Sequence, residues 1–274
     1  MPTAALDEGL ELHYEDRGDG PVLLLIAGIP AIADDWDALA EPLSRSRRVI
    51  AYDNRGSGRS SVTPPPYSTR QLAADATALL DSLGIERADV FGMSMGGMVA
   101  QELAIGWPPR VRRLILGCTH AGPANSAPQP REAGRAFALQ TDDWRERMEA
   151  LAPFAFAQDV DERLLAAFIQ KKAGDVQDPV GYAGQIQAVL GHDSAARLDA
   201  IRARTLILTG DDDRVIPAAS SEILRDRIPG AVLETIPGAG HLFFIEQPRR
   251  TQELLEAFLG ARWTSSAASA SGRS

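Results

Sequence analysis

The segment that most restricts the fold of this chain runs from Gly92 to Gly96 and reads Gly-Met-Ser-Met-Gly. It follows a strand-like run, Ala88 to Phe91, and a helical pattern begins directly after it. A serine at so sharp a strand-to-helix turn is held in a strained backbone conformation, with its hydroxyl above the sheet. The flanking glycines are needed because a Cβ at either position would clash with the neighbouring strand or helix. Since the amides at the start of the helix favour developing negative charge at the same point, the segment predicts a nucleophilic Ser94.

Apolar, β-branched runs alternate along the chain with segments of helical period. The run from Val22 to Ile26 is apolar without alternation, as expected for a central strand buried on both faces. The segment from Ser68 to Leu83 carries leucines at helical spacing. This alternation predicts an α/β fold, with a mostly parallel sheet covered by helices on both faces. Strands are expected at Leu10–Glu15, Val22–Ile26, Arg48–Tyr52, Asp89–Phe91, Val111–Leu116, Thr205–Thr209 and Val232–Ile236, and further helices at Gly96–Ile105 and Arg249–Leu259.

The stretch between residues 123 and 200 interrupts this alternation. It is introduced by a proline- and glycine-rich linker, Gly122 to Pro130, and continues with helical patterns and no convincing strand. The chain therefore predicts a core formed by residues 1–122 and 201–263, and an all-helical cap formed by residues 123–200. Residues 264–274 are rich in serine and alanine and are expected to be a disordered tail. The helical patterns of the cap cover Arg131–Thr141, Asp142–Leu151, Asp161–Lys172 and Pro179–Leu190.

A serine nucleophile needs a base, and histidine is the usual one. Of the four histidines, His241 lies on a loop that begins just after the strand ending at Ile236 and contains two glycines. An apolar stretch follows the histidine. That setting fits an imidazole held at the carboxyl edge of a sheet. We expect His13, His120 and His192 to be structural, with the pocket wall as an alternative for His120, which follows a strand end.

The base in turn needs a carboxylate that fixes its tautomer. The loop after the strand Thr205–Thr209 offers Asp211, Asp212 and Asp213. Spacing favours Asp213, and the other two stay open as alternatives that would otherwise cap the loop or face solvent. The chain order serine, acid, histidine agrees with enzymes in which the serine occupies such a strand-to-helix turn.

Together these segments resemble the α/β-hydrolase superfamily, and the match extends from about Leu10 to Leu259, interrupted by the cap. Within the superfamily the chain looks most like the small-cap group of esterases, enol-lactonases and cofactor-free perhydrolases. The loop residues Asp53 and Arg55 are then structural and tie their loop down. The segments that carry the resemblance are the Ser94 turn, Gly210–Pro217, Gly240–Pro248, the loop Tyr52–Ser60 after the third core strand, and Asp35-Trp36. The last pair follows the loop after the strand Val22–Ile26, which is called the oxyanion loop because the family uses it to hold the oxyanion.

The resemblance also implies the remaining site residues. One oxyanion donor is expected to be the backbone amide of Met95. The other is expected to be that of Ile29, with Gly28 as the alternative, in a loop where the family commonly has a histidine and this chain has Ala27. Substrate contacts are expected at Gly28, Met93, His120 and Leu242. Two or three of the large side chains of the cap should also face the pocket, from the set Phe137, Trp144, Met148, Phe154, Phe156, Phe168 and Tyr182.

These residues predict a serine hydrolase that cleaves a carboxylic ester or a lactone through an acyl-enzyme. Neither a metal nor an organic cofactor is expected, because the sequence has no ligand-spaced cluster and no nucleotide fingerprint. A serine in place of an aspartate at the turn argues against epoxide or haloalkane chemistry. Two alternatives stay open: the same triad could serve a cofactor-free perhydrolase or a C–C bond hydrolase, or the fold could be a non-catalytic receptor for a small ligand.

The bulk properties restrict the partners and the location. The net charge of −9 disfavours nucleic acid and anionic lipid surfaces as partners. The longest apolar run, Val22 to Ile29, is far shorter than the ~20 residues that cross a bilayer. No signal peptide is recognised, and the single cysteine, Cys118, is expected to be a buried thiol at a strand end. We therefore expect a cytoplasmic protein that acts on a small molecule, either as a monomer or as a homodimer.

Overall fold

The computed structural model describes residues 2–6, 9–139, 141–175 and 177–260. Within them, one sheet of eight strands has the order β1-β2-β4-β3-β5-β6-β7-β8. The pairs β1–β2 and β2–β4 are antiparallel, and all others are parallel. The strands are β1 (Thr3–Ala5), β2 (Glu11–Arg17), β3 (Val22–Ile26), β4 (Arg48–Tyr52), β5 (Ala88–Met93), β6 (Val111–Gly117), β7 (Arg204–Gly210) and β8 (Val232–Ile236).

Helices cover both faces of this sheet. None of those in the described part of the chain is long and apolar enough to cross a bilayer. The α-helices are α1 (Asp37–Leu43), α2 (Thr69–Ser82), α3 (Met95–Gly106), α4 (Arg131–Phe137), α5 (Trp144–Ala155), α6 (Glu162–Lys172), α7 (Pro179–Leu190), α8 (Ala219–Arg227), α9 (Phe243–Glu246) and α10 (Pro248–Leu259). The predicted α/β fold is confirmed, while the predicted tail at 264–274 lies outside the described residues.

Strand β3 shows why an uninterrupted apolar run marks a central strand. Successive side chains of a strand point to opposite faces. Leu24 and Ile26 accordingly belong to the cluster beneath α2 and α3, whereas Leu23 and Leu25 belong to the cluster beneath α1 and α10. All four are fully buried, so each face of the sheet has its own hydrophobic core. At roughly 25 cal/mol per Å² of apolar surface, this burial is the main force that holds the layers together.

Some elements differ from the sequence prediction. β1, α1, α8 and α9 were not predicted: β1 has only three residues and α9 only four, too few to show a period, and α1 contains Pro42. Helix α5 begins two residues later and ends four residues later than predicted, and Asp143 caps it by accepting hydrogen bonds from two amides at its start. Helices α4 to α7 occupy the chain between β6 and β7, the stretch for which the sequence predicted helices without strands.

The loop after β4 is tied down by its charged residues, although not by one pair. The Asp53 carboxylate is fully buried and accepts hydrogen bonds from the backbone amides of Ala33, at 2.7 Å, and Arg59, at 2.9 Å. The Arg55 guanidinium instead forms a two-pronged ion pair with Asp75 of α2. The first of these contacts joins the loop after β4 to the loop after β3, and so positions the latter beside the carboxyl end of β5.

Candidate active site

Ser94 lies in the sharp turn between β5 and α3, with φ 57° and ψ −120°. Its amide donates to the carbonyl of Gly117 on β6, at 2.8 Å, which fixes the turn against the neighbouring strand. A Cβ on Gly92 would lie 2.1 Å from the carbonyl oxygen of Gly96, and one on Gly96 would lie 2.0 Å from that of Ile26. Both glycines are therefore required by close backbone approach, as the sequence predicted, because no backbone atom can move aside here without moving a strand or α3.

His241 and Asp213 form a buried hydrogen-bonded pair. The distance between His241 Nδ1 and Asp213 Oδ2 is 2.8 Å. The other carboxylate oxygen, Oδ1, accepts from the amides of Val215 and Ile216, each at 2.8 Å. Because Oδ2 can accept a hydrogen bond from Nδ1, it fixes the tautomer of the imidazole that carries its proton on Nδ1 and leaves Nε2 as the acceptor. Asp213 itself lies behind His241 and does not line the cavity described below.

The two neighbouring aspartates have separate partners. Asp211 Oδ1 accepts a hydrogen bond from the amide of Gly238, at 2.7 Å. Asp212 Oδ2 accepts from the amide of Gln158, in the turn after α5. Of the three carboxylates that the sequence offered, only Asp213 is bonded to the histidine in the described structure, while the other two organise the loops around it.

The loop that carries His241 is anchored to the segment after α5 by a carboxylate with two amides. Glu246 Oε1 accepts from the amide of Gly240, at 2.8 Å, and Oε2 accepts from the amide of Ala157, at 3.0 Å. The amide of Leu242 donates to the carbonyl of Ala155, at 2.8 Å. Burial raises the pKa of Glu246, against the stabilising effect of the two amides. The sequence motif contained Glu246, but nothing in the sequence identified its partner 89 residues away.

The loop after β3 approaches the nucleophile closely. A Cβ on Gly28 would lie 2.8 Å from the Cβ of Ser94, so only glycine fits there. The amides of Ile29 and Met95 donate to no acceptor within the described residues, and both residues line the same cavity as Ser94. Where the family commonly has a bracing histidine, the carbonyl of Ala27 accepts a hydrogen bond from the Asn54 side chain, at 3.1 Å. Two unpaired amides beside a strained serine are suited to hold an oxyanion.

A cavity of about 480 Å³ opens above Ser94 and His241. All the sequence-predicted contact residues line it, namely Gly28, Met93, His120 and Leu242, together with Ile29 and Met95. Its opposite wall comes from α4 to α7, where Phe137, Met148 and Phe168 are the members of the predicted set that line it. Most of the lining is apolar, so the cavity is suited to a substrate with apolar groups next to its reacting bond.

One polar pair on the cavity wall could not be predicted from the sequence. Asp35, just after the oxyanion loop, and Lys172, at the end of α6, both line the cavity. Their ion pair measures 2.8 Å, and the Lys172 side chain is only 1% exposed. Burial alone would raise the pKa of Asp35, but Lys172 and the neighbouring Lys171 outweigh it, and the pKa lies below its ordinary value. Lys172 also contacts Asp175. The positive charge of Lys172 is therefore neutralised by two carboxylates where it lines the cavity.

Two groups of described residues bring three metal-binding side chains together. One is Cys118 with Asp213 and His241, where burial and the nearby carboxylate raise the pKa of the thiol well above its ordinary value, so it stays protonated. The other is His13 with Glu15 and Asp34, whose carboxylates already pair with arginines. In the first group the histidine and the aspartate are already bonded to each other. In the second group each carboxylate is already paired with an arginine.

Comparisons with known proteins agree with the fold. A family model described as the alpha/beta hydrolase fold matches residues 21–248. A protein of Azorhizobium caulinodans named "Putative carbamate hydrolase RutD" is 30% identical over 253 residues, which cover 91% of this chain and 95% of that protein. A hydrolase from Pseudomonas aeruginosa PA01 is similar in structure, with a TM-score of 0.84 and 34% identity over 95% of this chain and 98% of the other. The enol-lactonase from Burkholderia xenovorans LB400 has a TM-score of 0.84 and 29% identity over 94% of this chain and 99% of its own.

Proposed function

The chain belongs to the α/β-hydrolase family, and we propose that it cleaves a carboxylic ester or a lactone with Ser94 as nucleophile, His241 as base and Asp213 as the carboxylate that orients His241. One observation carries the proposal: a strained serine and a histidine that is bonded to a buried aspartate line the same apolar cavity. The proposal is consistent with the similarity to an enol-lactonase. In the proposed reaction, helices α4 to α7 serve as the cap that closes the cavity.

Acylation begins when Ser94 Oγ attacks the carbonyl carbon of the substrate. His241 Nε2 takes the hydroxyl proton, and Asp213 stabilises the resulting imidazolium. The carbonyl oxygen becomes an oxyanion held by the amides of Met95 and Ile29, each such donor contributing about 3 kcal/mol to the transition state. When the tetrahedral intermediate collapses, His241 gives the proton to the leaving oxygen, and the C–O bond of the ester breaks.

Deacylation repeats these steps with water as the nucleophile. His241 takes a proton from the water molecule, whose oxygen attacks the acyl carbon, and the same two amides hold the second oxyanion. The proton then returns to Ser94 Oγ as the acid product departs. Every proton transfer in this reaction uses Nε2 of His241. The hydrogen bond from Nδ1 to Asp213 is therefore important because it orients the ring.

The name of one relative provides a second candidate bond. The Azorhizobium protein is named for carbamate hydrolysis, and attack by the serine on a carbamate carbonyl would use the same residues. A perhydrolase or a C–C bond hydrolase would use them too. A substrate panel separates these activities: butyrate esters, γ- and δ-lactones, aryl carbamates and a β-diketone are compared by kcat/KM, and peroxide is tested as an alternative acyl acceptor.

The first experiment is labelling with a fluorophosphonate, read by intact mass. We expect one adduct on the wild-type protein, none on Ser94→Ala, and one on the control Ser44→Ala, because the Ser44 hydroxyl lies at the surface, where it donates to the Glu41 carbonyl. An adduct that persists in Ser94→Ala would refute the assignment of the nucleophile. A wild-type protein that is neither labelled nor active on any member of the panel would refute the enzymatic function and favour a small-ligand receptor.

A further inference from the structure

The order of the strands separates His120 from the oxyanion loop. The carboxyl ends of β3, β5, β6, β7 and β8 follow one another along the sheet. Ile29 follows β3, Ser94 follows β5, His120 follows β6, and His241 comes after β8. His120 and Ile29 therefore lie on opposite sides of the nucleophile. Because His241 has to protonate the leaving oxygen, the leaving group must lie toward His241, and His120 lies on that side of the nucleophile.

A backbone contact fixes the tautomer of His120. The amide of Gly122 donates to His120 Nδ1, at 3.0 Å. Because an amide can only donate, Nδ1 carries no proton, and the neutral ring carries its proton on Nε2. Burial and the proximity of His241 lower the pKa of His120 to about 4. At neutral pH the ring is therefore uncharged, and it does not compete with His241 for the proton of Ser94.

The Nε2–H group of His120 has no partner within the described protein, and it is open to the cavity. The residue lines the cavity and is 7% exposed, and its Nε2 is not among the fully buried atoms that lack a partner. His192 provides the contrast, because its Nδ1 bonds to Thr69 and its Nε2 is completely enclosed. Polar groups inside proteins are nearly always paired, so a donor that faces an apolar cavity is suited to a ligand.

We propose that His120 Nε2–H donates a hydrogen bond to an oxygen in the leaving portion of the substrate. The preferred substrate class is then an ester or lactone whose alcohol portion carries a second oxygen, as a carbonyl or an ether, a few atoms beyond the ester oxygen. This inference rests on the proposed ester or lactone hydrolysis. It deepens that function because a site with a buried donor discriminates strongly against a substrate of the same shape that lacks the acceptor.

Two variants separate this role from a structural one. In His120→Asn the side-chain oxygen matches the position of Nδ1, so it can still accept from Gly122, but the donor at the position of Nε2 is lost. In His120→Gln the amide nitrogen matches Nε2, so the donor to the cavity is kept and the contact with Gly122 is lost. A structural role predicts that the glutamine variant is the impaired one, and our proposal predicts the reverse.

The assay compares two esters of the same shape. 2-Oxopropyl butyrate and isobutyl butyrate differ by a carbonyl oxygen in place of a methyl group, and acid release is followed by pH-stat. The preference for the oxo ester, as a ratio of kcat/KM values, is expected to fall about tenfold in His120→Asn and to stay within about threefold of wild type in His120→Gln. Intrinsic reactivity cancels because the same pair of esters is used with every variant.

An unchanged preference in His120→Asn would overturn the inference, and so would an impaired His120→Gln beside an unaffected His120→Asn. Fluorophosphonate labelling keeps this result separate from the proposed function. If Ser94 is labelled at the wild-type rate in His120→Asn and both esters are cleaved without the expected loss of preference, only the role of His120 fails. If Ser94 of the wild-type protein is not labelled and neither ester is cleaved, the proposed function fails first.

Discussion

Gly28→Ala tests whether the loop after β3 participates in catalysis. The added Cβ would lie 2.8 Å from Ser94 Cβ and 3.0 Å from the carbonyl oxygen of Met93. Carbon atoms in contact prefer about 3.5–4.0 Å, so the loop or the serine must shift by about 1 Å. The serine turn is held by its close contacts with β3 and α3 and is the less free to move. The loop is therefore expected to retreat and to carry the amide of Ile29 away from the oxyanion.

The magnitude follows from that displacement. A misplacement of about 1 Å near the reacting atoms costs on the order of a hundredfold in rate, and removal of one oxyanion donor costs about a hundredfold to a thousandfold in kcat. We expect Gly28→Ala to lower kcat on p-nitrophenyl butyrate by about 100- to 1,000-fold, with a smaller change in KM. Overpacking of this kind should lower the free energy of unfolding by about 1–3 kcal/mol, so the protein stays folded for the assay.

Gly106→Ala is the matched control. A Cβ on Gly106, at the end of α3, meets nothing within 4 Å, so kcat should equal that of the wild type. Urea unfolding monitored by circular dichroism verifies that both variants are folded. If Gly28→Ala is folded and retains a kcat within about threefold of wild type, the position of the loop after β3 does not affect the rate of the reaction. The oxyanion would then be held by groups other than the Ile29 amide, and that part of the mechanism would be wrong.

Three further perturbations test other contacts. Lys172→Met should lower the free energy of unfolding by about 3 kcal/mol because it leaves a buried carboxylate short of its partner, whereas Lys171→Met, at a side chain 49% exposed, should cost under about 1 kcal/mol; equal losses in urea unfolding would contradict this. The pKa values of His120 and His192 are lowered to about 4 from 6.5, so the unfolded chain binds more protons between these values. The free energy of unfolding should therefore fall by about 3 kcal/mol per histidine from pH 7 to pH 4. In His120→Gln the contribution of His120 to this fall should be absent. Glu246→Ala should lower kcat by about tenfold by releasing the histidine loop, and an unchanged kcat would show that the loop holds its position without it.

Local motifs account for the parts of the fold and the site that the sequence predicted. Ser94 and its glycines are specified within five residues, because the turn imposes its own steric requirements. The uninterrupted apolar run of β3 likewise predicts that this strand is buried on both faces of the sheet. The choice of Asp213 over Asp211 depended on spacing alone, and the structure explains it: the amides of Val215 and Ile216 hold that carboxylate toward the histidine.

Contacts between distant segments account for what could not be predicted. Asp35 and Lys172 are 137 residues apart, and neither has a local pattern that reveals the other. Which large side chains of α4 to α7 face the cavity depends on how those helices are set on the sheet, and helical periodicity does not contain that information. The tautomer of His120 likewise depends on a backbone amide two residues on, which is visible only once the turn has a defined geometry.

The loop that carries His241 is bonded directly to the end of α5 and to the turn that follows it. Ala155, the last residue of α5, provides the carbonyl that accepts from Leu242, and the short turn after it provides the amide of Ala157, which donates to Glu246. A Cβ on Gly240 would lie 2.4 Å from the amide nitrogen of Ala157, so the two backbones are in direct contact beside the base. Exchange of the insertion between related enzymes should therefore preserve catalysis only when this turn is kept. A chimera that replaces α6 and α7 but retains residues 155–158 should keep its rate of Ser94 labelling, whereas one that also replaces those four residues should lose it.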